Sequence, residues 1–229
     1  MTPLDIESCC NEATSAAQAK SAGAVRIELC QDLAHDGLTP SKQDITMCVQ
    51  QLHLQTYVLI RPRSGDFVYN AEEIATIEHD IMLCKSIGVS GIVVGFLKTD
   101  RSVDAVLTRH IVQLAKPMSV TFHRAFDCCN HWASALETII DCGCDRLLTS
   151  GCRNTAWEGR DTLRELVQVA QDRICIMAGS GITAANARQV AEYTNVKALH
   201  ASCKVTLPDG CIRTSADEVR SLFKALHIT

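Results

Sequence analysis

The chain lacks the sequence features of several large protein classes. Its 229 residues contain no uncharged apolar run near the roughly 20 residues that a membrane span needs. They also contain no lysine- or arginine-rich stretch of the kind that binds membrane surfaces or nucleic acids. The first ten residues, MTPLDIESCC, have no basic segment followed by an apolar one, so we expect no signal peptide. With a net charge of −4, the sequence predicts a cytoplasmic protein with no nucleic-acid or membrane partner.

The spacing of the cysteines disfavours two further kinds of protein, those with structural zinc sites and those with thioredoxin-like chemistry. The chain has 13 cysteines but no C-x-x-C motif, which is the usual signature of structural zinc sites and of thioredoxin-like chemistry. Disulfides are not expected in a cytoplasmic protein, because that compartment keeps thiols reduced. We therefore interpret most of the cysteines as small buried apolar side chains.

What the chain does contain is a regular succession of strand-like and helix-like segments. Eight apolar, β-leaning runs begin near Leu4, Val25, Thr56, Gly91, Ser119, Asp145, Ile174 and Lys197. Eight β–α units without a linker predict one α/β domain over residues 1–229, folded as a single (β/α)8 TIM barrel. An open doubly wound sheet is the alternative, and it is disfavoured because no G-x-G-x-x-G follows the first strand.

Helical periodicity and helix-end motifs separate most of these runs. Helices are predicted at Asn11–Ala22, Ala71–Ile87, Thr162–Ala170, Thr183–Tyr193 and Ser215–Leu226. The last would begin at a serine cap, Ser215, with Glu218 at the capping-box position. In SAGAVRIEL, SIGVSGIVV and DCGCDRLLT a glycine precedes the strand, which is typical of a left-handed helix C-cap.

The second strand, VRIELC, raises the question of function. Alternation predicts that Val25, Ile27 and Leu29 face the helices, and that Arg26, Glu28 and Cys30 face the barrel lumen. The same alternation turns inward Glu7 and Cys9 on the first strand and Ser119, Thr121 and His123 on the fifth. Buried polar groups cost free energy unless they are paired. The inward-facing polar residues therefore indicate either a functional site or a structural ion pair of Glu28 with Arg26 or Arg61.

Barrel enzymes collect their reactive groups where the strands end. The candidate catalytic residues at these ends are Glu7, Glu28, Arg61 and His123. His123 titrates near neutral pH, which suits acid–base chemistry, although a lone buried histidine is more often structural. We expect one cavity to be faced by Glu7, Cys9, Glu28, Cys30, Arg61, His123 and His200.

Two further motifs indicate anion binding. In IRPRSGDF, Arg61 and Arg63 beside Asp66 would form a bidentate fork, although Pro62 and Gly65 also fit a plain turn. The glycine-rich AGSGIT follows the seventh strand, where barrels commonly hold a phosphate. The candidate anion-binding residues are Arg63, Gly179, Ser180, Gly181, Ser202 and Lys204.

Several long motifs resemble the CutC family of copper homeostasis proteins. The matching motifs, between Ile6 and Lys204, are RIELC.DLA..GLTPS, IRPR.GDF, VTFHRAFD, LTSG and MAGSGI. The resemblance implies a TIM barrel, a homodimer or homotetramer, and a role in copper tolerance with Cys9 and Cys30 as Cu(I) ligands. Cu(I) prefers soft thiolates, which fits this implication. His35 and Asp36 stand where the family usually has glutamate and glycine.

Two functions from different classes follow. The resemblance favours Cu(I) binding or trafficking in the cytoplasm, with Cu(I) as the one expected cofactor. The alternative is an orphan enzyme of lyase or isomerase type, acting on a small anionic or phosphorylated metabolite through the polar strand ends. The absence of any strand-end lysine before Lys204 disfavours a Schiff-base aldolase. A non-catalytic binding module would instead need an exposed apolar patch.

Overall fold

The chain folds as a closed eight-stranded parallel barrel surrounded by helices, which confirms the predicted (β/α)8 TIM barrel. A computed structural model describes residues 4–33, 36–206 and 212–227, so His35 lies outside the described residues. The strands of the barrel are β1 Asp5–Cys10, β2 Arg26–Leu29, β3 Gln55–Leu59, β4 Gly91–Val94, β5 Ser119–Phe122, β6 Arg146–Thr149, β7 Cys175–Ala178 and β8 Ala198–Ala201.

Helices connect consecutive strands and cover the outside of the barrel. They are α1 Ala13–Ser21, α2 Lys42–Thr46, α3 Ala71–Ile87, α4 Ala105–Ala115, α5 Trp132–Cys142, α6 Arg160–Ala170, α7 Ala187–Thr194 and α8 Ala216–Ala225. A π-helical turn, Met47–Gln51, continues α2, and a 3₁₀ turn, Arg124–Cys128, follows β5. None of the helices in the described part of the chain has the length and apolar composition needed to cross a bilayer.

The barrel closes between its first and last strands. Glu7 of β1 is in register with Arg26 of β2 on one side and with His200 of β8 on the other. Because parallel strands in register point corresponding side chains to the same face, these three polar residues meet inside the barrel. The closure of the barrel is therefore also what assembles its charged interior.

The main apolar core lies between the outside of the barrel and the helices. Ile27 and Leu29 of β2 are fully buried there, as predicted, and each buried side chain of this size contributes roughly 1.5–3 kcal/mol. Val25 does not join them. It precedes the first residue of β2 and is 66% exposed, so it lies at the amino-terminal rim of the barrel and not under the helices.

The ends of α3 combine the predicted glycine C-cap with an N-terminal capping box that the sequence analysis did not predict. This helix has the predicted bounds, begins at an Asn70–Glu73 capping box and ends at Gly88 with a φ of +87°. The start of α7 was predicted too early. The backbone N–H of Thr183 donates to Oδ1 of Asn186, and this side-chain turn delays the helix to Ala187.

A hairpin that the sequence did not predict follows β8. It pairs β9, Lys204–Thr206, with β10, Ile212–Thr214, in antiparallel fashion. Oγ1 of Thr214 donates to the carbonyl of Cys9, which fixes the hairpin against the end of β1. Ser215 then caps α8 as predicted, but its own N–H bonds to the carbonyl of Cys203, and only half of the capping box forms.

Candidate metal and ligand site

Glu7 lies at the centre of the charged barrel interior and is fully buried. Nε of Arg26 donates to one of its carboxylate oxygens at 2.7 Å, and Nδ1 of His200 lies 3.0 Å from the other. Burial alone would raise the pKa of Glu7, but the hydrogen bond with His200 and the charge of Arg26 outweigh it and hold the pKa below its usual value. Glu7, and not Glu28, is therefore the ion-pair partner of Arg26.

The ring of Tyr57 supports this ion pair from the neighbouring strand. The guanidinium carbon of Arg26 lies 3.3 Å from the centroid of the Tyr57 ring. A cation over an aromatic face is attracted by the ring quadrupole, and the attraction is larger away from water. Arg26 is thus held by Glu7 on one side and by Tyr57 on the other.

His200 carries a proton between two carboxylates. Burial would lower its pKa, but the charge of Glu28 and hydrogen bonds with Cys9 and Glu7 raise the pKa well above the usual histidine value. Its Nδ1 lies 3.9 Å from Oε2 of Glu28. At neutral pH the floor of the site therefore contains an imidazolium ion.

Glu28 is the least satisfied acid in the barrel. Within the described part of the chain, its Oε2 is buried and accepts no hydrogen bond. Burial raises the pKa of Glu28 to about 7; the positive charge of His200 opposes this rise and the negative charge of Glu7 adds to it. A carboxyl group with such a pKa exchanges its proton near neutral pH.

Cys9 and Cys30 bring two thiols together on adjacent strands. Their Sγ atoms are 3.8 Å apart, and both residues are buried. The hydrogen bond with Cys30 is the main cause that raises the pKa of Cys9, followed by burial; the carboxylate of Glu28 adds to them. Cys9 is therefore a protonated thiol at neutral pH, and a metal ion must displace that proton to bind.

His123 is a neutral histidine with one unused nitrogen. Its Nδ1 accepts a hydrogen bond from the N–H of Ala125 at 3.1 Å, so the ring proton resides on Nε2. Nε2 is buried and has no partner among the residues described. Burial and the positive charge of Arg61 lower the pKa of His123 to about 3. Gly95 leaves room for the ring, since a Cβ there would lie 2.3 Å from Cε1 of His123.

Arg61 and Arg63 do not form one fork. The guanidinium of Arg61 is buried and donates to the backbone carbonyls of Asp36, Gly37 and Gly65, which ties two loops at the barrel mouth. Arg63 points away and pairs with Glu73, with Nε to Oε1 at 2.5 Å. The structure therefore separates the two arginines that the sequence grouped together.

The polar residues that end β5 and β6 bind one another. Asp127 accepts hydrogen bonds from the hydroxyl of Thr149 and from the N–H groups of Ser150 and Cys152. Nε of Arg124 donates to the same carboxylate at 2.9 Å. These contacts anchor the loop after β5, which explains the polar strand ends there without a ligand.

A cavity of about 820 Å³ opens above this floor at the carboxyl ends of the strands. Cys9, Glu28, Cys30 and His200 line its base. Its walls include the charged residues Asp36, Arg61, Arg124, Asp127, Lys204 and Glu218 and the apolar residues Leu33, Leu59, Phe67, Leu148 and Ile182. The volume and the mixed lining suit a small organic molecule.

Comparison with known proteins identifies the family. The family model described as "CutC family" matches residues 4–205. The chain belongs to the CutC family. A family protein CutC from Histophilus somni (strain 2336) is 43% identical over 201 residues, which cover 88% of this chain and 83% of the relative. One from Vibrio vulnificus (strain YJ016) is 43% identical over 205 residues, which cover 89% of this chain and 82% of the relative.

A solved structure supports the same assignment. The CutC protein of Streptococcus agalactiae, which is named for copper homeostasis, superposes with a TM-score of 0.83 at 30% sequence identity. The match covers 87% of this chain and 98% of that protein. The fold of this relative thus agrees with the barrel that the chain forms.

Most of the predicted site residues of this CutC-family chain meet at the cavity. Those that line it are Cys9, Glu28, Cys30, Arg61, His123, Ser180, Gly181, His200, Ser202 and Lys204. Three predicted residues are not among the lining residues. Glu7 lies beneath the cavity floor, Arg63 lies outside the mouth, and Gly179 packs so closely that a Cβ there would lie 2.5 Å from Leu148. The roles assigned to all these residues stay predictions.

Sequence reasoning placed His200, Cys9 and Glu28 in one cavity but did not identify them as one set of metal-ligating residues. The metal-ligating atoms of these three residues lie within 4.8 Å of one another. Alternation placed His200 in the lumen, but the strand register that brings it beside Glu7 depends on barrel closure. Every cysteine in the described ranges is a free thiol.

Proposed function

We propose that this chain binds Cu(I) in the cytoplasm through the thiolates of Cys9 and Cys30. The observation that carries the proposal is the 3.8 Å separation of the two Sγ atoms at the base of an accessible cavity. Thiolates are the ligands that Cu(I) prefers, and the copper ion is here the cargo of the protein. The name of the Streptococcus agalactiae relative supports the same function.

The charges around the thiols fit a monovalent cation. Two thiolates and one Cu(I) ion carry a net charge of −1, and the adjacent His200 imidazolium offers the balancing positive charge. The raised pKa of Cys9 means that copper competes with a proton there. Both cysteines are buried, and the cytoplasm keeps thiols reduced, which is the form that binds Cu(I).

The experiment is a Cu(I) competition titration on the reduced protein under anaerobic conditions. Cys9→Ser and Cys30→Ser should each weaken Cu(I) binding by at least about tenfold, because loss of an inner ligand costs no less than loss of an outer-shell partner. Cys142→Ser is the matched control, since Cys142 is buried on α5. Equal affinity in all three variants contradicts the proposal and assigns the copper to other thiols.

A second candidate is acid–base chemistry on a small anionic metabolite. It is favoured by two buried polar atoms without partners among the described residues, Oε2 of Glu28 and Nε2 of His123, on residues that line one cavity. Lys204 and Ser180 line the same space and would hold the anionic group.

A thermal-shift titration with inorganic phosphate and small sugar phosphates tests this candidate. A ligand that binds only the folded state raises the melting temperature. The rise should shrink in Lys204→Ala and persist in Lys20→Ala, which removes a lysine from the exposed end of α1. Absence of any rise with millimolar anions contradicts this candidate. Homodimer or homotetramer formation stays a prediction, which sedimentation velocity tests.

A further inference from the structure

A second set of metal-ligating atoms shares Cys9 with the thiol pair. Sγ of Cys9, a carboxylate oxygen of Glu28 and a ring nitrogen of His200 lie within 4.8 Å of one another. In the part of the chain that the structure describes, this set contains Cys9 but not Cys30. Atoms at such mutual distances surround a single position that one ion can occupy after small side-chain movements.

The surroundings of His200 resemble the outer shell of a metal site. Nδ1 of His200 is held by Glu7 at 3.0 Å, and Glu7 is held by Arg26 at 2.7 Å. A histidine that binds a metal usually gives its other ring N–H to a carboxylate, which fixes the orientation of the ring. In such an arrangement Nε2 of His200, the nitrogen that Glu7 does not hold, would coordinate the ion.

A buried carboxylate oxygen of Glu28 is a second, independent indication of a metal site. This residue is 6% exposed, and its Oε2 has no hydrogen-bond partner among the residues described. A buried carboxylate oxygen without a partner is costly unless a ligand satisfies it. A cation bound between Glu28 and Cys9 would provide that partner.

We propose that Cys9, Glu28 and His200 form an open three-ligand site for a divalent ion of the zinc class. Thiolate, carboxylate and imidazole are the three ligand types that zinc uses, and three protein ligands leave a fourth position for water or a bound molecule. All three residues line the cavity, so a ligand there can reach the ion. The thiolate and the carboxylate together balance the charge of +2.

Zinc binding and copper binding at this floor exclude each other. Both use the thiolate of Cys9, but the zinc site adds Glu28 and His200, whereas the copper site adds Cys30. Binding of Zn²⁺ releases the proton of the Cys9 thiol and one proton of the His200 imidazolium to solvent. The zinc proposal goes beyond the copper proposal and does not depend on it.

The first test measures Zn²⁺ and Cu(I) affinity in the reduced, metal-free full-length protein against competing chelators. Glu28→Gln keeps the size of the side chain but removes its charge, and the ratio of Zn²⁺ to Cu(I) affinity should fall by at least about tenfold. In Cys30→Ser the same ratio should rise. Cys128→Ser, which removes an exposed thiol, is the control for adventitious zinc. An unchanged ratio in Glu28→Gln overturns the zinc site.

The second test needs no variant. X-ray absorption of the protein loaded with one equivalent of Zn²⁺ should show one sulfur neighbour and nitrogen or oxygen neighbours. Two or more sulfurs per zinc overturn the site and assign the metal to paired cysteines. Failure of the copper proposal would appear separately, as Cu(I) affinity that Cys30→Ser leaves intact.

Discussion

Nδ1 of His200 lies 3.0 Å from Oε1 of Glu7, its register partner across the closure of the barrel. Oε2 of the same carboxylate accepts from Nε of Arg26 at 2.7 Å. One buried acid therefore joins the last strand of the barrel to the second. The stability of the fold and the orientation of the candidate metal ligand His200 depend on the same residue.

Replacement of Glu7 tests this dual role. Glu7→Gln leaves the buried charge of Arg26 without its closest counter-ion, since Oδ2 of Asp5 lies 3.9 Å from Nε of Arg26, against 2.7 Å for Glu7. Breaking one side of a buried ion pair typically costs 3–5 kcal/mol, and we expect the free energy of unfolding to fall by about that amount. Urea denaturation measures the change.

The matched control is Glu137→Gln, which breaks the Glu137–Arg173 pair. Both side chains of that pair are more than 40% exposed, so the loss should stay below about 1 kcal/mol. If Glu7→Gln and Glu137→Gln cost the same, the Glu7 network does not stabilise the barrel.

The lowered pKa of His123 predicts that the free energy of unfolding falls in acid. Its pKa is lowered from 6.5 to about 3 by burial and by the positive charges of Arg61 and Arg124. Between these pH values the unfolded chain binds one proton more than the folded chain. This histidine therefore destabilises the fold as the pH falls from about 6.5 to about 3, with a slope near 1.4 kcal/mol per pH unit.

Urea denaturation at a series of pH values checks this slope in His123→Asn. Asparagine keeps an acceptor for the N–H of Ala125 but does not titrate. The free energy of unfolding of His123→Asn should therefore fall less steeply with decreasing pH, by about 1.4 kcal/mol per pH unit. His53→Asn removes an exposed histidine and should keep the slope of the parent protein. A slope that is the same in the parent and in His123→Asn would show that other groups cause the acid sensitivity.

Arg61 is expected to stabilise the loops at the cavity mouth. Its guanidinium donates to the carbonyls of Asp36, Gly37 and Gly65, and lysine cannot reach all three from a single nitrogen. Arg61→Lys should therefore lower the free energy of unfolding by about 1.5–3 kcal/mol. Arg173→Lys, at an exposed pair, should lower it by less than about 1 kcal/mol. Equal losses would show that these carbonyl contacts contribute nothing measurable.

The sequence by itself determined the barrel and the direction of most side chains. Alternation along β2 assigned Ile27 and Leu29 to the helices and Glu28 and Cys30 to the lumen, and the structure has them there. The apolar periodicity of α3 and its C-terminal glycine, Gly88, likewise predicted the bounds of this helix. These features depend on chemistry within a few residues of the chain, so the local pattern is sufficient to predict them.

Only the tertiary structure decided which lumen residues touch. It paired Arg26 with Glu7, placed His200 beside Glu28, and turned Arg63 out toward Glu73. Contacts between strands depend on register and stagger, which arise when the barrel closes over residues as distant as Glu7 and His200. No local pattern carries that information. The residues of the candidate site were therefore largely predictable from the sequence, whereas their contacts with one another are visible only in the folded chain.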